Sequence, residues 1–150
     1  MVAVKRIALI SFAFVVTGSA CVGPARTFPP YQADAVATAQ QANAAVQTAL
    51  LAVDTGADGG AFVNYLSITL RDSEDAATGV QSQFDSIQPP NRAADRLRAK
   101  LDGMLQAAVT TLGALRIHVR RGEVQYLTSL AQPLKQTSKE LHDFIAANQR

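Results

Sequence analysis

The chain has a single cysteine, no tryptophan, two histidines and three glutamates among its 150 residues. Each scarcity excludes something. One cysteine rules out an intramolecular disulfide framework and every zinc or iron–sulfur pattern that needs several cysteines. Covalent haem attachment is excluded with them, because Cys-x-x-Cys-His is absent. Three glutamates cannot supply the inward-facing Glu and Glu-x-x-His pairs of a di-iron bundle, and Glu140 precedes His142 by the wrong spacing. Strand-like alternation is missing, so no glycine-rich loop follows a strand to cradle phosphate, and no nucleophile elbow is available. Asp54-Thr55-Gly56 matches the aspartic-protease triplet, but that chemistry requires two such aspartates. The residues therefore assemble no catalytic constellation, no metal site and no cofactor site, and the reading is of a non-enzyme.

Apolar residues, by contrast, make up 48% of the chain, ample for one core. They are not evenly spread. Lys5 and Arg6 precede the run Ile7–Val16, interrupted only by Ser11, and the small residues Thr17 to Ala20 lead to the lone Cys21. A spanning helix needs roughly 20 apolar residues, so this run is too short to cross a bilayer. The order of basic, apolar and small residues is that of an export signal, to be set apart from fold reasoning as residues 1–20.

Ser19-Ala20-Cys21 resembles the end of the lipobox of bacterial lipoprotein precursors, although Gly18 stands where that family prefers an aliphatic residue. The resemblance covers only about the first 21 residues. It implies that Cys21 is the lipid attachment point and the first mature residue. The protein would then sit in the cell envelope, on the outer face of the cytoplasmic membrane or the periplasmic side. Its partners would be the membrane, through the N-terminal lipid, and an envelope protein. Gly18 and Ala20 also fit ordinary signal cleavage, which implies secretion instead.

Removing the signal changes the charge argument. The full chain carries 14 Lys plus Arg against 12 Asp plus Glu. Lys5 and Arg6 leave with the signal, so the mature chain is formally neutral and no globally basic nucleic-acid binder remains. The neutral chain is polarised along its length. Residues 21–88 hold two basic and seven acidic residues, and residues 89–150 hold ten basic and five acidic. An acidic hairpin is therefore expected to lie against a basic one.

Residues 21–30 contain Pro24, Pro29 and Pro30 and read as an extended tether. Behind it, residues 31–150 show helical periodicity in four stretches, about 31–54, 61–87, 91–121 and 123–148. The stripes run through Val36, Val46 and Val53; through Phe62, Leu70 and Phe84; through Leu101, Leu112 and Val119; and through Leu127, Leu141 and Phe144. The Thr55–Gly60 region, with Gly56, Gly59 and Gly60, is expected to turn, Pro89-Pro90 to stop the second helix, and Gly122 to end the third. Pro133 should kink or split the fourth. The fold class is all-α, an up-down-up-down antiparallel four-helix bundle.

Asn43 interrupts the first stripe, and folding the helices about their turns sets it near the level of Ser73, Ala108 and Thr137. Asn43, Ser73 and Thr137 are thus expected to form an interior polar layer that fixes register or forms a small slot. The function that follows is binding or scaffolding by an envelope-anchored bundle. The alternative is a small-molecule or metal carrier that uses the bundle interior.

Overall fold

The computed structural model describes residues 27–57 and 63–149. Cys21, the expected export signal of residues 1–20 and residues 58–62, Phe62 among them, lie outside the described residues. Four long helical passes form an all-α bundle. Helix α1 spans Phe28–Ala57, α2 Val63–Asp85 and α3 Arg92–Arg120. The fourth pass is a 3-10 turn at Val124–Tyr126, a short α4 at Leu127–Leu130, and α5 at Gln132–Asn148.

The helix boundaries follow local chemistry. Pro29 and Pro30 fall in the first turn of α1, where a missing N–H leaves no intrahelical bond unmade. Residues 28–30, expected to be extended, are helical. Asn91 caps α3, its side chain accepting from the N–H groups of Ala93 and Ala94 at 3.0 Å each. The other end of α3 closes on Gly122, whose φ of 75° is the left-handed conformation that glycine adopts without strain. Its N–H donates to the carbonyl of Val119 and that of Glu123 to the carbonyl of His118, so the last carbonyls are satisfied. Pro133 splits the fourth pass. It occupies the start of α5, and Ala131 is the break between α4 and α5. Gly56 is not in a turn, since α1 continues through Ala57.

Successive helices run antiparallel. Tyr31 near the start of α1 stacks on Phe84 near the end of α2, with ring centroids 5.5 Å apart. Gln32 reaches the carbonyl of Asn148 at the end of α5. Helix α1 packs against α2, α3 and α5, and α3 against α2 and α5, while α2 and α5 lie across the long diagonal. That rhombic section explains the burial of α1. Tyr31, Ala35, Ala39, Ala42, Val46, Ala49 and Val53 are fully buried. Alanine permits close approach on three sides, so α1 buries a broader face than its valine stripe implies. On α2, α3 and α5 the expected stripes are the core, with Leu70, Phe84, Leu101, Leu112, Leu134, Leu141 and Phe144 essentially inaccessible. No helix among the described residues is long and apolar enough to cross a membrane.

Candidate functional site

Of the three polar residues expected to form one layer, Ser73 and Thr137 are buried and Asn43 is half-buried, and each has its own neighbours. Asn43 lies on the flank of α1 that faces α5, because the true centre of that helix's buried face runs through Ala42 and Val46. Its Oδ1 accepts from the hydroxyl of Ser138 at 2.8 Å, and Gln47 Nε2 donates to the same hydroxyl oxygen at 2.6 Å. Ser73 is buried at the α1–α2 seam, beside a groove of about 230 Å³ that it lines with Ala45, Thr48 and Asp72. Thr137 is buried and bonds its own helix, Oγ1 donating to the carbonyl of Pro133 at 3.0 Å. The polar cluster at the α1–α5 seam is therefore Asn43–Ser138–Gln47, running from buried Ser138 to exposed Gln47. Ser138 was legible only as the neighbour of Thr137, one position round the helix.

Ion pairs stitch the acidic half of the chain to the basic half. Arg98 of α3 holds the end of α2, donating to the carbonyls of Ile87 and Asp85 and to the Asp85 carboxylate. Arg116 of α3 grips Glu74 of α2 at two points, Nε to Oε2 and a second nitrogen to Oε1 at 3.3 Å. The carboxylate also lies against Gly113, where an added Cβ would stand 3.2 Å from Oε1. Hydrogen bonding and charge from Glu74 raise the Arg116 guanidinium above its ordinary pKa. Lys135 of α5 reaches Asp54 of α1 at 3.3 Å. Each of these inter-helix pairs joins a carboxylate from residues 21–88 to a base from residues 89–150, in the sense the charge asymmetry implies. Exposed pairs contribute little stability singly, so their effect is chiefly on register and topology.

At the Phe28 end of the bundle two polar atoms are buried without a partner, the hydroxyl of Tyr31 and Oδ1 of Asp102. Burial pushes the Asp102 carboxyl up, Asp85 adds to the rise, and Arg98 opposes it by charge and hydrogen bonding. Burial likewise raises the Tyr31 phenol, with Arg98 opposing and Asp102, Asp95 and Asp85 reinforcing. His118 bonds Glu123 through Nδ1, and His142 is exposed on α5. Among the described residues, no three His, Cys, Asp or Glu side chains come together as a metal site.

The surface is unevenly apolar. Among the described residues the exposed large hydrophobic side chains are Leu51, Val63, Tyr65, Ile68, Ile117 and Tyr126. Leu51 is near the end of α1, Val63 to Ile68 open α2, Ile117 is in the last turn of α3, and Tyr126 follows it. All six therefore lie at the end of the bundle opposite Phe28. Helix α1 alone separates the two ends by about 45 Å at 1.5 Å per residue. Open grooves run between neighbouring helices. One, about 630 Å³ between α3 and α5, is lined by Lys100, Gly103, Met104, Glu140, Asp143 and Phe144. Lys100 Nζ lies 5.9 Å from the centroid of the Phe144 ring.

Comparison with protein-family models, curated proteins and solved structures finds no match to this chain.

Proposed function

We propose that the protein is an envelope lipoprotein anchored through Cys21, whose helical bundle docks a protein partner at the end away from the anchor. The lipobox-like Ser19-Ala20-Cys21 supports the anchor. A short tether then joins the lipid to α1, so the Phe28 end stands near the membrane and the far end projects from it.

The observation that carries the docking role is the placement of exposed apolar side chains. Leu51 is 70% exposed and Ile68 60%, and every such residue among those described sits at the far end. Scattered exposed hydrophobics are ordinary on a protein surface. Their confinement to one end is not scatter, and tyrosine and isoleucine set in a polar rim suit the core of a protein interface. The role is positional: a lipid fixes one end, the packed helices hold the two ends apart, and the other end meets the partner.

Intact mass spectrometry of the protein extracted from its envelope tests the anchor. The expected N-terminus is Cys21 carrying a thioether-linked diacylglyceryl group. An unmodified thiol at Cys21, or a chain beginning elsewhere, overturns it.

A further inference from the structure

A second surface, on α1, is unlike any other on the bundle. Between Asp34 and Asp54 this helix carries no charged residue. Its inner face is covered by α2, α3 and α5. Its outer row, Ala33, Ala37, Gln40, Ala44, Gln47 and Leu51, is exposed along its whole length. The spacing is 4-3-4-3-4, the seam of a coiled coil and a register distinct from the buried one. A helix without charge on either side has the composition of one covered all round, and the bundle covers only one side. Grooves flank the row, about 310 Å³ beside Ala37 and Gln40 and about 330 Å³ beside Gln47 and Leu51. A third, about 230 Å³, runs beside Ala45 and Thr48 on the α2 side. Ridges of a second helix fit such grooves.

We infer that this row is a self-association surface, along which the α1 helices of two copies pair about a two-fold axis. The row's chemistry selects its occupant. A neutral row buries without penalty only against another neutral row, because an opposing charge would be desolvated unpaired. Gln40 carries both donors and acceptors, and Gln47, whose Nε2 donates to Ser138, keeps its Oε1 as an acceptor, so both can bond amides of a second copy. Ala37 and Ala44 let the backbones approach, and the pairing covers Leu51. A two-fold interface uses one patch twice, which this row satisfies and a charged foreign helix does not. Ala44, next to the middle of the row, lies beside its own counterpart in parallel pairing and beside Gln40 of the second copy in antiparallel pairing, so a probe there faces the second copy in either direction. The row shares Leu51 with the far-end docking role, whose other residues lie in the opening turns of α2, at the close of α3 and at Tyr126, so the pairing surface is otherwise separate.

The test places a photo-crosslinking amino acid at Ala44 in the full chain, expressed and matured in its cells. Ala44 is exposed, so the replacement leaves the core intact. Illumination is expected to give an adduct of twice the chain mass whose peptides come from this chain alone. The same probe at exposed Thr110 on α3 is expected to give none. With the probe at Ala37, adding Ala44→Glu is expected to weaken pairing by about tenfold or more, as opposed like charges across the seam require. Absence of the homodimer from Ala44, an adduct there to another protein or to lipid, or an equal yield from Thr110 overturns the inference.

Discussion

The Ser138 hydroxyl of α5 donates to Asn43 Oδ1 of α1 at 2.8 Å, and the two residues are 95 positions apart in the chain. This bond, with Gln47 donating to the same hydroxyl, fixes the register of the first and last helices. Ser138→Ala should lower stability by about 1 kcal/mol, the usual net contribution of one such bond. In a double-mutant cycle with Asn43→Ala the losses should be less than additive, because either substitution breaks the same contact. Chemical denaturation of the four proteins measures this, and strict additivity would mean the bond does not stabilise the fold.

Tyr31→Phe removes a buried hydroxyl that has no partner. Stability should stay level or rise by up to about 1 kcal/mol, since an unsatisfied polar group is a net cost. Tyr31→Ala should instead lose about 3–5 kcal/mol, the range for deleting a large buried aromatic side chain. Thermal unfolding separates the two, and a clear loss in the phenylalanine variant would reveal a bond made by the hydroxyl.

Asp102→Asn should change stability with pH in a defined direction. The folded state raises the Asp102 carboxyl pKa, by burial and by Asp85. The folded protein therefore holds that proton more tightly than the unfolded chain, and ionisation destabilises the fold as pH rises through the carboxylate range. The asparagine variant escapes this effect. It should be the more stable protein at neutral pH and should lose the advantage in acid, below both carboxyl pKa values. Urea titrations at the two pH values read it directly, and a less stable variant at neutral pH would show that the Arg98–Asp102 pair outweighs burial.

Gly79 and Gly103 lie inside α2 and α3 with no atom within 4 Å of an added Cβ. Each Gly→Ala change should therefore stabilise by up to about 1 kcal/mol through backbone entropy alone. Gly56→Ala should do the opposite, because its Cβ would stand 2.7 Å from Leu66 Cδ1 in the packed core. Melting temperatures of the three variants check the contrast.

The sequence made α2, α3 and α5 legible because their core positions are large apolar side chains, so periodicity and burial coincide at Leu70, Leu112 and Leu141. Helix α1 was harder to read. Its core positions are mostly alanines, which carry little periodic signal, and three-sided packing moved the centre of burial from the Val36–Asn43–Leu50 line to Ala35, Ala42 and Ala49. That rotation sets Asn43 on the α5 side, where it meets Ser138, a relation between residues 95 positions apart that no local pattern carries. The far-end cluster was half visible. Ile68 and Ile117 stood outside their stripes, but their common end depends on the antiparallel topology.

The proposal stands most directly on which end of the bundle meets a partner. Photo-crosslinking residues placed singly at Ile68 and Ile117, and at Ser86 and Ala146 near the opposite end, test this in intact cells. All four positions are exposed. The expected result is a discrete protein adduct from Ile68 and Ile117, with none from Ser86 or Ala146. Protein adducts confined to Ser86 and Ala146, or none from Ile68 and Ile117, would contradict the account.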